Sequence, residues 1–245
     1  MSDWANDDDC KPTSFDEMAI YPEAKEILQH FLTSGNIPHI IFHGDTGTGK
    51  TTAANILART IMPDFGEKNE FDCSGIISPS VMDKWLVQLV GKTGALTRFM
   101  TGVEKECYLF DEFHLINGKV QMKLNKPLEG KAKDTPCFFC VNDLEQVEKP
   151  IRSRCTLIPF DVCSIHPKKD TLVMNTHHSW SEKEWKEELR RVGQIATKKK
   201  GYEVDSAIED KVLAKNLCCV DARTYVRNMG IQYEMYGVTA KRKEK

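Results

Sequence analysis

The sequence predicts an α/β protein, with a parallel-sheet domain over residues 11–161 and a small, all-helical domain over 162–237. Three observations lead there. Short apolar runs alternate with helix-period segments as far as Phe160, the pattern of a sheet covered on both faces by crossover helices. A glycine-rich turn joins the first of those runs to a helix. Beyond Phe160 only the helical period persists, without strand-like alternation.

The elements follow in chain order. Asp3, Asp7, Asp8 and Asp9 make residues 1–10 an acidic arm, expected to fray. A helix is expected over 22–33: Pro22 suits its first turn, Ala24, Ile27, Leu28, Phe31 and Leu32 recur at helical spacing, and Gly35 and Asn36 end it. Ile40, Ile41 and Phe42 mark a strand over 37–43, and a helix over 51–62 stops at Pro63. A strand over 71–74 and an amphipathic helix over 79–90 come next. Three further apolar runs, 107–110, 136–141 and 155–160, read as strands; Pro159 implies that the end of the last leaves the ladder or lies at a sheet edge. After Phe160, Pro167, the stretch Thr176-His177-His178 and Ser181 suggest a connector. Ser181 and Glu184 form a capping box for a helix over 182–197, and two more helices are expected over 203–216 and 221–233. A basic tail, 238–245, closes the chain.

Composition excludes several classes. The 245 residues are 40% apolar, with 11 Phe and 4 Trp, enough for a packed core. No apolar run reaches the length of a membrane helix, so no membrane partner is expected. Formal charge is 34 − 36 = −2, but residues 168–245 carry 17 Lys/Arg against 12 Asp/Glu, or +5, leaving −7 for the rest. The basic third suits either a phosphate-facing surface or a solvated helical one. Nine cysteines without secretory context indicate a reducing compartment. Cys137 and Cys140 form a CxxC inside a strand, where that spacing points the thiols to opposite faces, against zinc or redox use.

Gly44-Asp45-Thr46-Gly47-Thr48-Gly49-Lys50-Thr51 fits GxxxxGK[ST], between a strand and a helix. Glycines let successive N–H groups curl around an anion, and the helix N-terminus adds positive potential. Lys50 is the expected partner of the β- and γ-phosphates, Thr51 of Mg²⁺, and Thr52 follows in the same cradle. Asp111 and Glu112 end the 107–110 strand, read as lying beside the first. Asp111 is a candidate metal ligand and Glu112 a candidate base for water, which points to hydrolysis rather than nucleotide storage. Asn142 ends the next strand and is a candidate for orienting water. Arg154 precedes the last strand, at a sheet end from which it could reach nucleotide. Arg223 lies in the last helix. For both arginines a plain surface ion pair is the alternative.

Together these residues resemble the AAA+ ATPases, and among them clamp-loader ATPase subunits, the phage T4-type large subunit in particular, over about residues 11–237. The resemblance implies ATP and Mg²⁺ as cofactors. It implies that Lys11-Pro12-Thr13-Ser14-Phe15-Asp16-Glu17 packs near the adenine, with Ile20 and Tyr21 lining the base pocket. It makes Asp111-Glu112-Phe113-His114 the family's acidic box, with His in place of the usual final acid. Asn142 falls at the sensor-1 position. Arg154, in Ser153-Arg154-Cys155, becomes an arginine finger for a neighbouring subunit, and Arg223, in Asp221-Ala222-Arg223, a lid contact to nucleotide in cis. Three departures stand out: Pro127 interrupts a family helix, the opening segment keeps only Lys11 and Pro12 of the family wording, and the chain ends where the family's helical collar would begin.

The implied function is to help open a sliding clamp and place it on primer–template DNA, within an oligomer of related AAA+ subunits. DNA would be met at phosphates: Ser80, Lys84 and Lys92 form one candidate face, Lys119 and Lys123 another, each against plain solvation. Val81, Trp85 and Leu89 suit core packing better than clamp contact. The location expected is cytoplasm, of the host cell for a phage protein. Alternative readings are a helicase loader or initiator, a scaffold stabilised by nucleotide without hydrolysis and, least well supported, a metabolite kinase.

Overall fold

The computed structural model describes residues 3–91, 106–130, 135–165, 169 and 171–235; the calls on Lys92 and on the tail at 238–245 lie outside them. It divides into two compact units, Ala24–Asp45 with Lys50–Phe160, and Met1–Glu23 with Thr46–Gly49 and Asp161–Lys245.

The first unit is built on five parallel strands, β1 (Ile40–His43), β2 (Glu70–Asp72), β3 (Tyr108–Asp111), β4 (Cys137–Val141) and β5 (Thr156–Pro159), in the order β2-β3-β4-β1-β5. β4 is buried at every position, as expected of a central parallel strand. Its insertion corrects the sequence reading: β3 does not lie beside β1, because the chain returns from β3 to pair β4 between them. β5 is at the edge, and Pro159, which has no N–H to give, is its last residue.

The helices α1 (Pro22–Ser34), α2 (Lys50–Ile61) and α3 (Pro79–Gly91) start within a residue of where capping and periodicity put them. On one side of the sheet the core is aromatic: Phe71 stacks on Trp85 at 4.7 Å between centroids, and Phe110 on Phe139 at 5.1 Å. Trp85 packs against this core and Leu89 lies within it, as the packing reading required; Val81 is half-buried. Cys137 joins this core with Phe139 and Val141. The other register of β4 faces Phe42, against Phe138, so the two CxxC thiols do point apart. Among the described residues no group of three potential ligands could hold a metal, and no helix is long and apolar enough to cross a membrane.

Pro127 has the expected effect. The stretch breaks into α4 (Gly118–Gln121), a 3₁₀ turn (Met122–Leu124) and α5 (Asn125–Glu129), since proline has no N–H for the preceding turn and crowds its carbonyl. A short α6 (Lys149–Arg152) leads into β5.

His39 links this segment to the sheet. Its Nδ1 accepts the Cys137 N–H at 3.2 Å, and Nε2 lies 3.3 Å from the Leu128 carbonyl. Burial lowers its pKa below the ordinary 6.5, and a proton on Nδ1 would cost the Cys137 bond. The unfolded chain therefore binds this proton at higher pH than the folded one, and stability falls as pH drops through about 6.5. Urea midpoints measured from pH 7.5 to 5 should fall, and fall less in His39→Gln.

In the second unit, residues 163–174 depart from the connector reading. β6 (Cys163–Ile165) and β7 (Leu172–Met174) pair as an antiparallel hairpin; strands of three residues are too short to show a period. The rest is helical: α7 (Glu182–Lys199), α8 (Ser206–Leu213) and α9 (Ala222–Met235). The Ser181–Glu184 capping box forms. The helix expected over 203–216 is shorter because Asp205 caps at Ala207 and Ile208, and residues Asn216–Cys219 form a separate 3₁₀ turn.

Residues 3–10 of the acidic arm are packed rather than frayed. Trp4 is 1% exposed and stacks on Tyr233 at 5.6 Å, with Tyr202 at 5.4 Å. A Cβ at Gly230 would come within 2.6 Å of the Trp4 ring, so glycine there makes the seat. Arg227 binds Asp3, and Lys200 binds Asp7. Asp3 and Asp7 are thus partners of basic residues on α9 and at the end of α7 in the same unit. Trp4→Ala should destabilise this unit by about 3–5 kcal/mol, the usual cost of truncating a buried tryptophan, read as a lowered urea midpoint.

Candidate active site

The site in the first unit is built where three parallel strands end. Gly44 follows β1, Asp111 closes β3 and Asn142 follows β4, all at C-terminal ends, where a parallel sheet with a reversal in strand order opens a crevice. The turn after β1 holds Gly44, Gly47 and Gly49 at φ of 142°, 91° and 101°, a region that side chains avoid. In the second unit, a Cβ at Gly47 would lie 2.8 Å from the Asp221 carboxylate. That carboxylate caps α9, accepting from Thr224 N at 2.7 Å and Thr224 Oγ1 at 2.8 Å. Asp45, Thr46, Thr48 and Thr52 take the intervening and following positions, with Asp45 and Thr46 exposed.

Lys50 opens α2 and is 6% exposed. Its Nζ donates to the Gly44 and Asp45 carbonyls, both at 2.7 Å, which hold the cation over its own loop. Thr51 Oγ1 donates to Asp111 Oδ1 at 3.0 Å, although β4 separates β1 from β3. A hydroxyl and a carboxylate oxygen brought together in this way are the hard donors that Mg²⁺ takes. Cys140 lies beneath them; burial, reinforced by the charge of Asp111, raises its pKa well above the ordinary value and keeps it a thiol.

Glu112 has φ 52°, the single positive value among described non-glycine residues. Such a backbone costs about 1–3 kcal/mol and marks functional positions more often than chance. Asn142 Nδ2 donates to Glu112 Oε2 at 3.1 Å, while Asn142 Oδ1 is buried without a partner, so it is free to accept from a small polar molecule such as water. His114, which the sequence reading gave no role, belongs to the same cluster: Asn142 N donates to its Nδ1 at 3.3 Å, and its Nε2 is 3.4 Å from Glu112 Oε2. The signal in the sequence was its place at the end of the acidic box, where the family resemblance expects an acid.

Arg154 is elsewhere. It precedes β5 at the N-terminal end of the sheet, opposite the ends that carry Gly44, Asp111 and Asn142. Its guanidinium binds Glu129 and the Pro150 carbonyl, and its Nε is buried without a partner. The expectation that Arg154 could reach a nucleotide on its own sheet is therefore corrected: a parallel strand about 13 Å long intervenes.

In the second unit, Ile20 and Tyr21 are buried, and the Tyr21 ring lies 5.4 Å from those of His177 and His178. Arg223 is exposed in the first turn of α9. Of the candidate DNA-facing residues, Lys123 binds Asp83 at 2.6 Å and the Pro79 carbonyl at 3.2 Å, joining its 3₁₀ turn to the start of α3, where Ser80 and Lys84 are exposed. Lys119 is exposed on α4.

The model for the ATPase family associated with various cellular activities (AAA) matches residues 40–160, just under half of the chain. The chain is similar to replication factor C small subunit 1 of Pyrobaculum islandicum, 29% identical over 156 residues, covering 64% of this chain and 46% of that protein. It is similar also to the replication factor C small subunit of Methanoculleus marisnigri, 30% identical over 155 residues, 61% of this chain and 46% of that protein. The chain thus spans just under half the length of these relatives. Among solved structures, the RuvB Holliday junction branch migration motor of Thermotoga maritima superposes with a TM-score of 0.63 at 20% identity, covering 96% of this chain and 70% of that one; this likeness shows the fold.

Proposed function

We propose that the chain is an ATP-hydrolysing subunit of a sliding-clamp loader. The observation that carries this reading is the division of the site: Lys50, Thr51, Asp111, Glu112 and Asn142 sit at one end of the sheet and Arg154 at the other. One chain thus supplies the phosphate cradle and base to its own nucleotide, and an arginine to a neighbour's. That division suits an oligomer of like AAA+ subunits, and the similarity to replication factor C small subunits supports the clamp-loader assignment within it.

In this mechanism the glycine turn and Lys50 hold the β- and γ-phosphates, and Thr51 and Asp111 hold Mg²⁺. When bound, Mg²⁺ offsets charge on the phosphate oxygens. Glu112 takes a proton from water; the water oxygen bonds to the γ-phosphorus, the bond to the β,γ-bridging oxygen breaks, and ADP and phosphate leave. Asn142 Oδ1 accepts the second water hydrogen. Ile20, Tyr21 and Arg223 are further candidates for nucleotide contact, as the family resemblance implies. Ser80, Lys84, Lys119 and Lys123 face DNA phosphates, and contacts of that kind weaken steeply with salt.

The test is native mass measurement with a non-hydrolysable ATP analogue, a ring clamp and primer–template DNA, alongside ATPase assays with each added. A nucleotide-dependent oligomer that retains clamp and is stimulated by clamp with DNA is the expected result. Stimulation by DNA without clamp retention would favour a helicase loader or initiator. Nucleotide-dependent assembly without turnover would favour the scaffold reading.

A further inference from the structure

Resting on the reading of Glu112 as the base, we infer that His114 is a positioning residue that fixes which oxygen of Glu112 takes the proton from water. The Asn142 N–H points at His114 Nδ1 at 3.3 Å, so Nδ1 is the acceptor and the ring proton sits on Nε2. That nitrogen is 3.4 Å from Glu112 Oε2, the oxygen that already accepts from Asn142 Nδ2 at 3.1 Å. Both the Asn142 amide and the His114 ring thus meet Glu112 at Oε2, which leaves Oε1 as the oxygen with neither contact. The unpartnered Asn142 Oδ1 provides the second acceptor that a water held at Oε1 needs.

The ring is well placed to hold this arrangement. The His114 side chain is 7% exposed, against 34% for Glu112. It belongs to a 3₁₀ turn, Phe113–Leu115, that starts at the left-handed Glu112 backbone. Phe113 and Ile116, on either side, are buried in the aromatic core. The turn therefore cannot shift without disturbing that core, and Glu112 is the more exposed partner. A carboxylate at this position would repel Glu112, whereas the histidine ring lies beside its Oε2 without that repulsion.

A structural role alone would be to accept the Asn142 N–H and hold the end of β4. Two substitutions separate the roles. His114→Asn keeps an acceptor near Nδ1 and loses the ring nitrogen beside Glu112 Oε2. His114→Gln keeps an N–H near Nε2. Single-turnover hydrolysis and MgATP affinity are measured on the full chain, with rates referred to the fraction that binds a fluorescent ATP analogue. His114→Asn should slow hydrolysis about 10-fold with affinity unchanged, since small displacements of a reacting group carry rate costs of that order or more, and His114→Gln should recover most of the rate. A wild-type rate in His114→Asn, or equal loss in both variants, would overturn the inference. Glu112→Gln is run beside them. If it leaves the rate unchanged, the assignment of the base fails and the inference with it; if it abolishes hydrolysis while His114→Asn does not matter, only the inference fails.

Discussion

Glu112→Gln should slow single-turnover ATP hydrolysis by about 10²–10⁴-fold, the range for removing a general base, while MgATP binding is kept. Binding should persist because the cradle residues are elsewhere: Lys50 over its own loop and Thr51 against Asp111. The glutamine amide has the size of the carboxylate, and an oxygen able to accept from Asn142 Nδ2, as Glu112 Oε2 does. What it lacks is affinity for a proton. Phosphate release under excess enzyme gives the rate, and titration with a fluorescent ATP analogue gives the affinity. Loss of binding together with rate would mean that Glu112 shapes the nucleotide pocket, and an unchanged rate would remove it as the base.

The part of this site legible in the sequence is the part encoded by neighbours in the chain. Gly44 to Thr51 specify their own backbone, because glycines at fixed intervals and a helix start are local facts. Asp111, Glu112 and Asn142 each follow an apolar run, and a parallel sheet places the ends of such runs together. Strand order is not local. Nothing in residues 136–141 says that they pair between β1 and β3, yet that insertion decides that Thr51 must reach across to Asp111. The hairpin at Cys163–Ile165 and Leu172–Met174 escaped for another reason: three residues are too few for alternation to be seen. Trp4 was read as part of a loose arm because its seat, against Gly230 and Tyr233, lies more than two hundred residues along the chain. His114 was missed because its role comes from the Asn142 backbone and the Glu112 carboxylate, neither of which fixes a residue type at position 114.

Arg154→Ala should lower turnover of the assembled protein by about 10³–10⁵-fold, the range for an arginine finger in GTPases, and leave the isolated chain's slow hydrolysis unchanged. The asymmetry follows from placement. Arg154 precedes β5 while Asp111 and Asn142 lie at the opposite ends of their parallel strands, so removing it takes nothing from the nucleotide of its own chain. The decisive measurement mixes two inactive proteins, Arg154→Ala and Lys50→Ala. The first keeps an intact cradle and lacks the finger; the second lacks the cradle and keeps the finger. Where they adjoin in the right order, one complete site is rebuilt from two defective chains, and turnover should return on mixing. Failure to return, with assembly verified by mass, would put Arg154 in a structural role with Glu129, to which its guanidinium is bound. Glu129→Ala distinguishes these roles from the other side: a finger released from its tether still reaches the neighbour, whereas a structural pair broken at either end destabilises the segment between α5 and β5 by a similar amount.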